Sequence, residues 1–349
     1  MSGTKKKRAA RARRAWARYD DRRLLEMRIR DLRLRIEGTL LERRVQRLHG
    51  ELQRRGLRFK PHVWLSSEWF SPDGVPGIAV PFYLAHHRLM KLEARQMLEV
   101  EGGSGSGCMR ILRHEAGHAI DTAYRLHFRK RWREVFGHYS QPYPRYYRPR
   151  PNSRRFVLHL DAWYAQAHPA EDFAETFAVW LTPRSGWRKA YRDWPTALRK
   201  LEYVDEVMRE INGKAPPVNS RIKVDPVSRL PQTLGEYYHK KRQRYGEAWP
   251  DIYDPDLRRL FSSERGHAAE PTAASILRSM RAEMRTEVAL WTGAHPYTIN
   301  QVLQDMIERC RELKLRLATP RREVKSQAII MLTVHTMNCL HGRRHEIPV

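Results

Sequence analysis

An α+β chain is the fold class this sequence predicts: a small sheet beside paired helices, with a helical N-terminal arm and a helical C-terminal region. Three observations lead there. Apolar residues recur at helical spacing near both ends of the chain. Two short runs rich in Val, Trp, Phe, Ile and Tyr, at 62–70 and 77–85, flank the turn Ser71-Pro72-Asp73-Gly74 and read as strands. Just beyond them, His114-Glu115-Ala116-Gly117-His118 sits in a stretch with the apolar content of a buried helix, given by Ile111, Ala119 and Ile120.

In chain order, residues 1–15 form a basic tail with no capacity to build a core. From 18 to 55 the pattern is helical: Leu25, Ile29, Leu32 and Ile36, then, after a shift near Gly38, Leu41, Val45, Leu48 and Leu52. This predicts an Arg-rich amphipathic helix or helical hairpin whose default is packing within the chain. The segment 56–61 breaks it, the two strands follow, and 86–98 is helical. Residues 101–107, rich in Gly and Ser, read as a linker or a lid. A long helix is expected over 108–129. The stretch 139–155 interleaves Pro, Tyr and Arg and is a loop anchored by Tyr, or a surface that grips a base or an acidic peptide. Helices are expected from Pro169 and over 187–211. Residues 212–225 form a linker or crossing strap, and 271–291, 296–317 and 321–340 are helical. The divisions are a basic arm at 1–58, a central domain at 59–215 and a C-terminal region at 216–349.

The chemistry lies in the centre. At 3.6 residues per turn, His114 and His118 share one helix face about one turn apart, so two imidazoles can grip one metal ion from one side. Glu115 lies roughly 100° round the axis, where a carboxylate can take a proton from a water at the open metal position. Gly117 weakens the helix but lets another element approach.

Catalytic zinc takes three protein ligands, so a third must come from elsewhere. The segment 168–181 supplies candidates. Phe173, Phe177, Trp180 and Leu181 follow a core stripe, and Glu171, Ala174, Glu175 and Ala178 form a second one. The small residues allow close packing on the His114 helix, so that one carboxylate reaches the metal and the other orients an imidazole from behind. Spacing alone leaves open which does which. Asp121, three residues after His118, can accept from a ligand imidazole or form a surface pair. His159 reads as a satisfied core residue, His168 as a helix-entry residue and Cys108 as structural.

The segments 114–121 and 171–178 resemble the gluzincin metallopeptidases, in which a downstream Glu completes the zinc site. Glu171-Asp172-Phe173-Ala174-Glu175 resembles the active site of the anthrax lethal factor family. That resemblance implies Glu171 as ligand, Glu175 behind the ligands, and Tyr164, seven residues before Glu171, as donor to the oxyanion of a tetrahedral intermediate. Residues 59–211 are similar to a group of bacterial zinc-binding metallopeptidases, through 110–124, 156–164 and 172–185. The resemblance implies a zincin-like core, a zinc cofactor and a protein or peptide substrate, with an edge strand of the 62–85 pair to receive it.

The formal net charge is +27, and the first sixty residues hold twenty-one Lys and Arg against seven acids. Such a surplus favours polyanions, nucleic acid or acidic proteins, and supports a rival reading: a nucleic-acid- or ribosome-associated binding protein with a structural or vestigial metal site. Three cysteines, Cys108, Cys310 and Cys339, give no disulfide framework, which points to a cytoplasmic protein. No stretch reaches the length of a membrane helix.

Overall fold

A computed structural model describes residues 15–97, 100–144, 146–147, 150, 153–245, 253–341 and 347–348. The basic tail of 1–14 lies outside the described residues, as do Leu98 and part of the Tyr-Pro loop. The protein is mostly helical with small sheets, and no described helix is long and apolar enough to cross a membrane.

The N-terminal stretch is not one helix. Asp20 caps the short α1 (Asp21–Leu25) by accepting from Arg23 N at 2.8 Å. The backbone then leaves the helix: Ile29 N donates to Gln232 O and Arg30 N to Leu230 O, at 3.0 and 3.2 Å. Donors that a continuous helix would bond internally are bonded instead to a segment 200 residues away, so tertiary pairing overrides the helical spacing. Leu24, Ile29 and Leu32 are buried nonetheless. The second half does form α2 (Leu40–Arg54), whose stripe of Leu41, Val45, Leu48 and Leu52 packs into the main core. Thr39 caps it, and Glu42 reaches back to Gly38 N at 2.7 Å.

Strands β1 (His62–Ser66) and β2 (Gly77–Pro81) are shorter than expected and pair in parallel, His62 opposite Gly77 through Ser66 opposite Pro81. They form no hairpin: the chain turns after β1, so that Phe70 bridges Ala79 antiparallel on the far side of β2. The segment 222–225 is a crossing strap. Its Ile222, Val224 and Asp225 carbonyls accept from His62 Nε2, Trp64 Nε1 and Ser66 Oγ at 3.0, 2.8 and 2.7 Å.

After α3 (His87–Met97) comes α4 (Gly105–Tyr124), which carries His114, Glu115 and His118. Ser104 caps it by accepting from Gly107 N, so residues 105–107 are its first turn and not part of a lid. It ends at Arg125, which takes a left-handed conformation, earlier than the expected 129. Then follow α5 (Lys130–Phe136), the two-residue β3 (Tyr146–Tyr147), a 3-10 turn at Asp161–Gln166, α6 (Pro169–Leu181), α7 (Trp187–Ala190), α8 (Pro195–Glu210) and α9 (Leu234–Tyr245). Side chains of α2, β2, α4, α6, α8 and α9 share one hydrophobic core.

A second core is built by α10 (Asp254–Leu260), α11 (Ala273–Thr292), α12 (Pro296–Glu312) and α13 (Arg321–His341), through Leu257, Leu277, Met284, Leu303, Met306 and Leu332. There β4 (Phe261–Ser262) pairs antiparallel with β5 (Arg316–Leu317), because Arg316 and Leu317 leave the predicted helix to form a strand. Finally β6 (Ile347–Pro348) pairs antiparallel with β3.

Two buried ion pairs tie the central helices to their neighbours. Arg113 on α4 makes a two-pronged contact with Glu51 on α2, at 2.7 and 2.9 Å. Lys200 on α8 donates to Asp172 on α6 at 2.6 Å and also to Arg155 O. Burial pushes the Asp172 carboxyl up to about 7, with the Lys200 charge opposing. Removing one member of such a pair strands the other in the core. Lys200→Met should therefore cost about 3–5 kcal/mol, read from urea unfolding, and Lys200→Met with Asp172→Leu should recover most of it. A single variant as stable as the parent would show that this pair does not hold α6 to α8.

Candidate metal centre

Helix α4 packs along α6, and at Gly117 it runs close against the α6 backbone at Ala174. A Cβ there would lie 2.7 Å from Ala174 Cα, closer than real Cβ atoms come, and 3.0 Å from Ala174 O, tighter than most such contacts. Gly117 and Ala174 thus let the backbones meet, and the polar residues flanking them converge.

Three of those residues bring ligand atoms together. His114 Nε2, His118 Nε2 and Glu171 Oε2 form a near-equilateral triangle with edges of 3.0, 3.1 and 3.1 Å. Ligand atoms held tetrahedrally on zinc at ~2.0–2.1 Å stand roughly 3.3 Å apart, so the triangle has about the size of one face of such a site. The set is nearly sealed, with His114 and Glu171 buried and His118 half-buried. Two imidazoles and one carboxylate are also the donor set that zinc favours.

Of the two carboxylates that spacing left open, Glu171 shares the triangle and Glu175 stands behind it. Glu175 Oε1 accepts from His114 Nδ1 at 2.8 Å, and Oε2 accepts from Leu160 N at 2.7 Å. A neutral His114 with its proton on Nδ1, the form that a metal would bind, turns the lone pair of Nε2 into the triangle. Burial disfavours a charged His114, but Glu171 and Glu175 outweigh it and hold its pKa well above the ordinary histidine range. Glu171 lies well below the usual carboxylate range, because His118 and His114 overcome the burial that would raise it.

Glu115 is buried beside the triangle, and its Oε2 has no hydrogen-bond partner. Burial raises its pKa, while His114 and His118 counteract this. An orphaned carboxylate oxygen is costly in a core and common where a ligand or reacting group completes it. Tyr164, on the Asp161–Gln166 turn, lies with its ring centroid 5.6 Å from that of His114. Burial raises its pKa well above the ordinary tyrosine value, and Glu171 and Glu115 add to that. Asp121 lies one turn beyond His118, but its Oδ2 is bonded to His127 Nδ1 and not to a ligand imidazole. Oδ1 has no partner.

The two other histidines near the third-ligand segment are satisfied elsewhere. His159 Nε2 donates to Arg110 O at 2.9 Å, and burial lowers its pKa. His168 caps α6 through Nδ1, which accepts from Ala170 N, and donates from Nε2 to Gln141 O. Cys108 and Cys310 are buried free thiols.

One contact was not legible in the sequence. Tyr143 donates from its hydroxyl to Glu171 Oε1 at 3.0 Å and stacks on His168, with ring centroids 3.9 Å apart. The Tyr-Pro loop therefore reaches the candidate ligand from outside α6. The only sequence signal was the loop's position between the two helical segments.

Residues 108–205 match the family described as "Putative zinc-binding metallo-peptidase". The match starts in α4 and ends within α8, so it takes in every residue of the triangle together with Glu115, Tyr164 and Glu175. It spans less than a third of the chain. No curated protein and no solved structure matches the chain.

Because the triangle depends on the close helix crossing, Gly117→Val should push α4 and α6 apart. Overpacking of this kind costs about 1–3 kcal/mol. The variant should stay folded by circular dichroism yet lose bound zinc in elemental analysis. Full zinc occupancy in Gly117→Val would show that the crossing does not set the site.

Proposed function

We propose that this protein is a zinc-dependent metallopeptidase of the gluzincin type, built on a zincin-like core and acting in the cytoplasm. The observation that carries the reading is the triangle of His114, His118 and Glu171 with the unpartnered carboxylate oxygen of Glu115 beside it. The family match over 108–205 supports it. A purely structural site has no use for a carboxylate beside the metal ligands with one oxygen left unbonded, so the position of Glu115, next to His114 on the same helix, favours an enzyme over a scaffold.

In this reading His114, His118 and Glu171 hold the metal. Zinc supplies Lewis-acid polarisation of a scissile carbonyl and a lowered pKa for its water. Glu115 is the general base that takes the proton from the attacking water and passes it to the leaving amine. Glu175 fixes the His114 tautomer, and Leu160 N–H fixes Glu175. Tyr164 keeps its proton and donates to the oxyanion as the carbonyl becomes tetrahedral. Tyr143 restrains the free oxygen of Glu171. The central unit is taken as 59–215, flanked by 1–58 and 216–349, each of which also lends side chains to its core. Protein or peptide is the substrate class.

Two measurements test this. Elemental analysis should find about one zinc per chain. Glu115→Gln should retain that zinc while hydrolysis of a peptide library falls on the order of 10²–10⁴-fold, and an active Glu115→Gln enzyme would sink the mechanism. For the ligand choice, Glu171→Ala should abolish zinc binding. Glu175→Ala should weaken it by roughly 10–100-fold, measured by competition with a chromophoric chelator. The reverse order would exchange the two roles.

A further inference from the structure

The strands expected to receive a substrate are poorly placed for it. β2 has β1 on one side and the Phe70 bridge on the other, and the 222–225 strap crosses β1. A different strand stands beside the metal cluster. β3 lies within the Tyr-Pro loop, just after Tyr143, which bonds Glu171. Tyr147 of β3 is buried, with its ring centroid 6.1 Å from that of Tyr164, which in turn lies 5.6 Å from that of His114.

Among the described residues, β3 has one strand partner, and it comes from the far end of the sequence. β6 follows α13 of the second core and runs antiparallel to β3, with Tyr146 opposite Pro348 and Tyr147 opposite Ile347. Pro348 has no N–H, so Ile347 is the one amide β6 can offer. A two-residue ladder is weak by itself. It persists because both strands belong to one chain, which keeps the local concentration of β6 high. The bonds it makes are backbone bonds, which any extended peptide can supply.

We propose that β3 is a docking edge for extended polypeptide at the metal centre, and that β6 of the same chain occupies it, competing with polypeptide from outside. The substrate role of this edge rests on the peptidase reading, but the docking itself does not. The chain carries an internal competitor that must leave β3 before another segment pairs there.

A binding experiment needs no catalysis. The probe is a fluorescein-labelled synthetic peptide of residues 343–349, Arg-Arg-His-Glu-Ile-Pro-Val, with a scrambled peptide as control. It is titrated by fluorescence anisotropy into the full chain and into a chain ending at Gly342, both carrying Glu115→Gln. The shortened chain should bind the probe at least fivefold more tightly than the full chain and should prefer it to the scrambled peptide. Ile347→Pro in the full chain should release the edge in the same way, with an unchanged urea transition. Tyr147→Pro in the shortened chain should remove the binding. Amide exchange read by mass spectrometry over 143–150 should be faster in the shortened chain than in the full one. Equal affinity and equal exchange in the two chains would overturn the proposal, as would equal binding of the scrambled peptide. Zinc content of the same samples separates the two readings. A zinc-loaded shortened chain that ignores the probe overturns the docking alone. A zinc-free chain that binds it overturns the peptidase reading alone.

Discussion

The contact of Gly117 with Ala174 is the constraint on which the rest of this structure depends. A helix presents its residues at fixed angles, so two imidazoles four apart are easily brought onto one side. The third donor comes from another helix, and its reach is short. A Glu side chain can meet both imidazoles only if the two backbones nearly touch, which requires a residue without a Cβ on one helix and a small one on the other. The same closeness lets the next Glu along α6 catch the far nitrogen of His114. One packing decision thus sets both the inner donors and the group that aims one of them.

Around this crossing the chain places charge in the core, in pairs. Arg113, adjacent to His114, is clamped by Glu51 of α2, and Asp172, adjacent to Glu171, is clamped by Lys200 of α8. Hydrophobic side chains would pack as well or better, because buried ion pairs are poor sources of net stability. What the pairs add is direction: each charged group has one matched partner, on α2 for α4 and on α8 for α6. Asp121 and His127 form a further pair at the end of α4, where the imidazole stacks on Tyr139 of the Tyr-Pro loop.

Much of this was legible in the sequence where the signal is local. The histidine spacing, the small-residue stripe of Ala174 and Ala178, Pro169 opening α6 and the buried stripe of α2 all follow from helical geometry. The misses share a different cause. Residues 28–30 have helical spacing but pair with 230–233, and Arg316 and Leu317 look helical but pair with β4, because partners distant in sequence claim their backbone groups. The parallel pairing of β1 with β2 hangs on a turn that doubles back at Phe70, which no composition rule discloses. Tyr143 was hidden for a similar reason: a loop residue carries no periodicity, so nothing in its neighbourhood announces that it will meet Glu171. Spacing alone could not separate Glu171 from Glu175. The structure gives them different partners: Glu171 Oε2 faces Nε2 of both His114 and His118, while Glu175 bonds Nδ1 of His114 and Leu160 N.

Trp163, next to Tyr164, takes the left-handed backbone conformation that a bulky residue adopts only under constraint. Its indole lies against Gly293, where an added Cβ would come within 3.0 Å of the ring. Gly293 stands after α11, far outside the stretch that matches the metallopeptidase family. The turn that presents Tyr164 is therefore braced by the other core, as a keystone is held by the far side of its arch. A fragment cut out along the family boundaries would keep every candidate ligand and leave this turn without its counterweight.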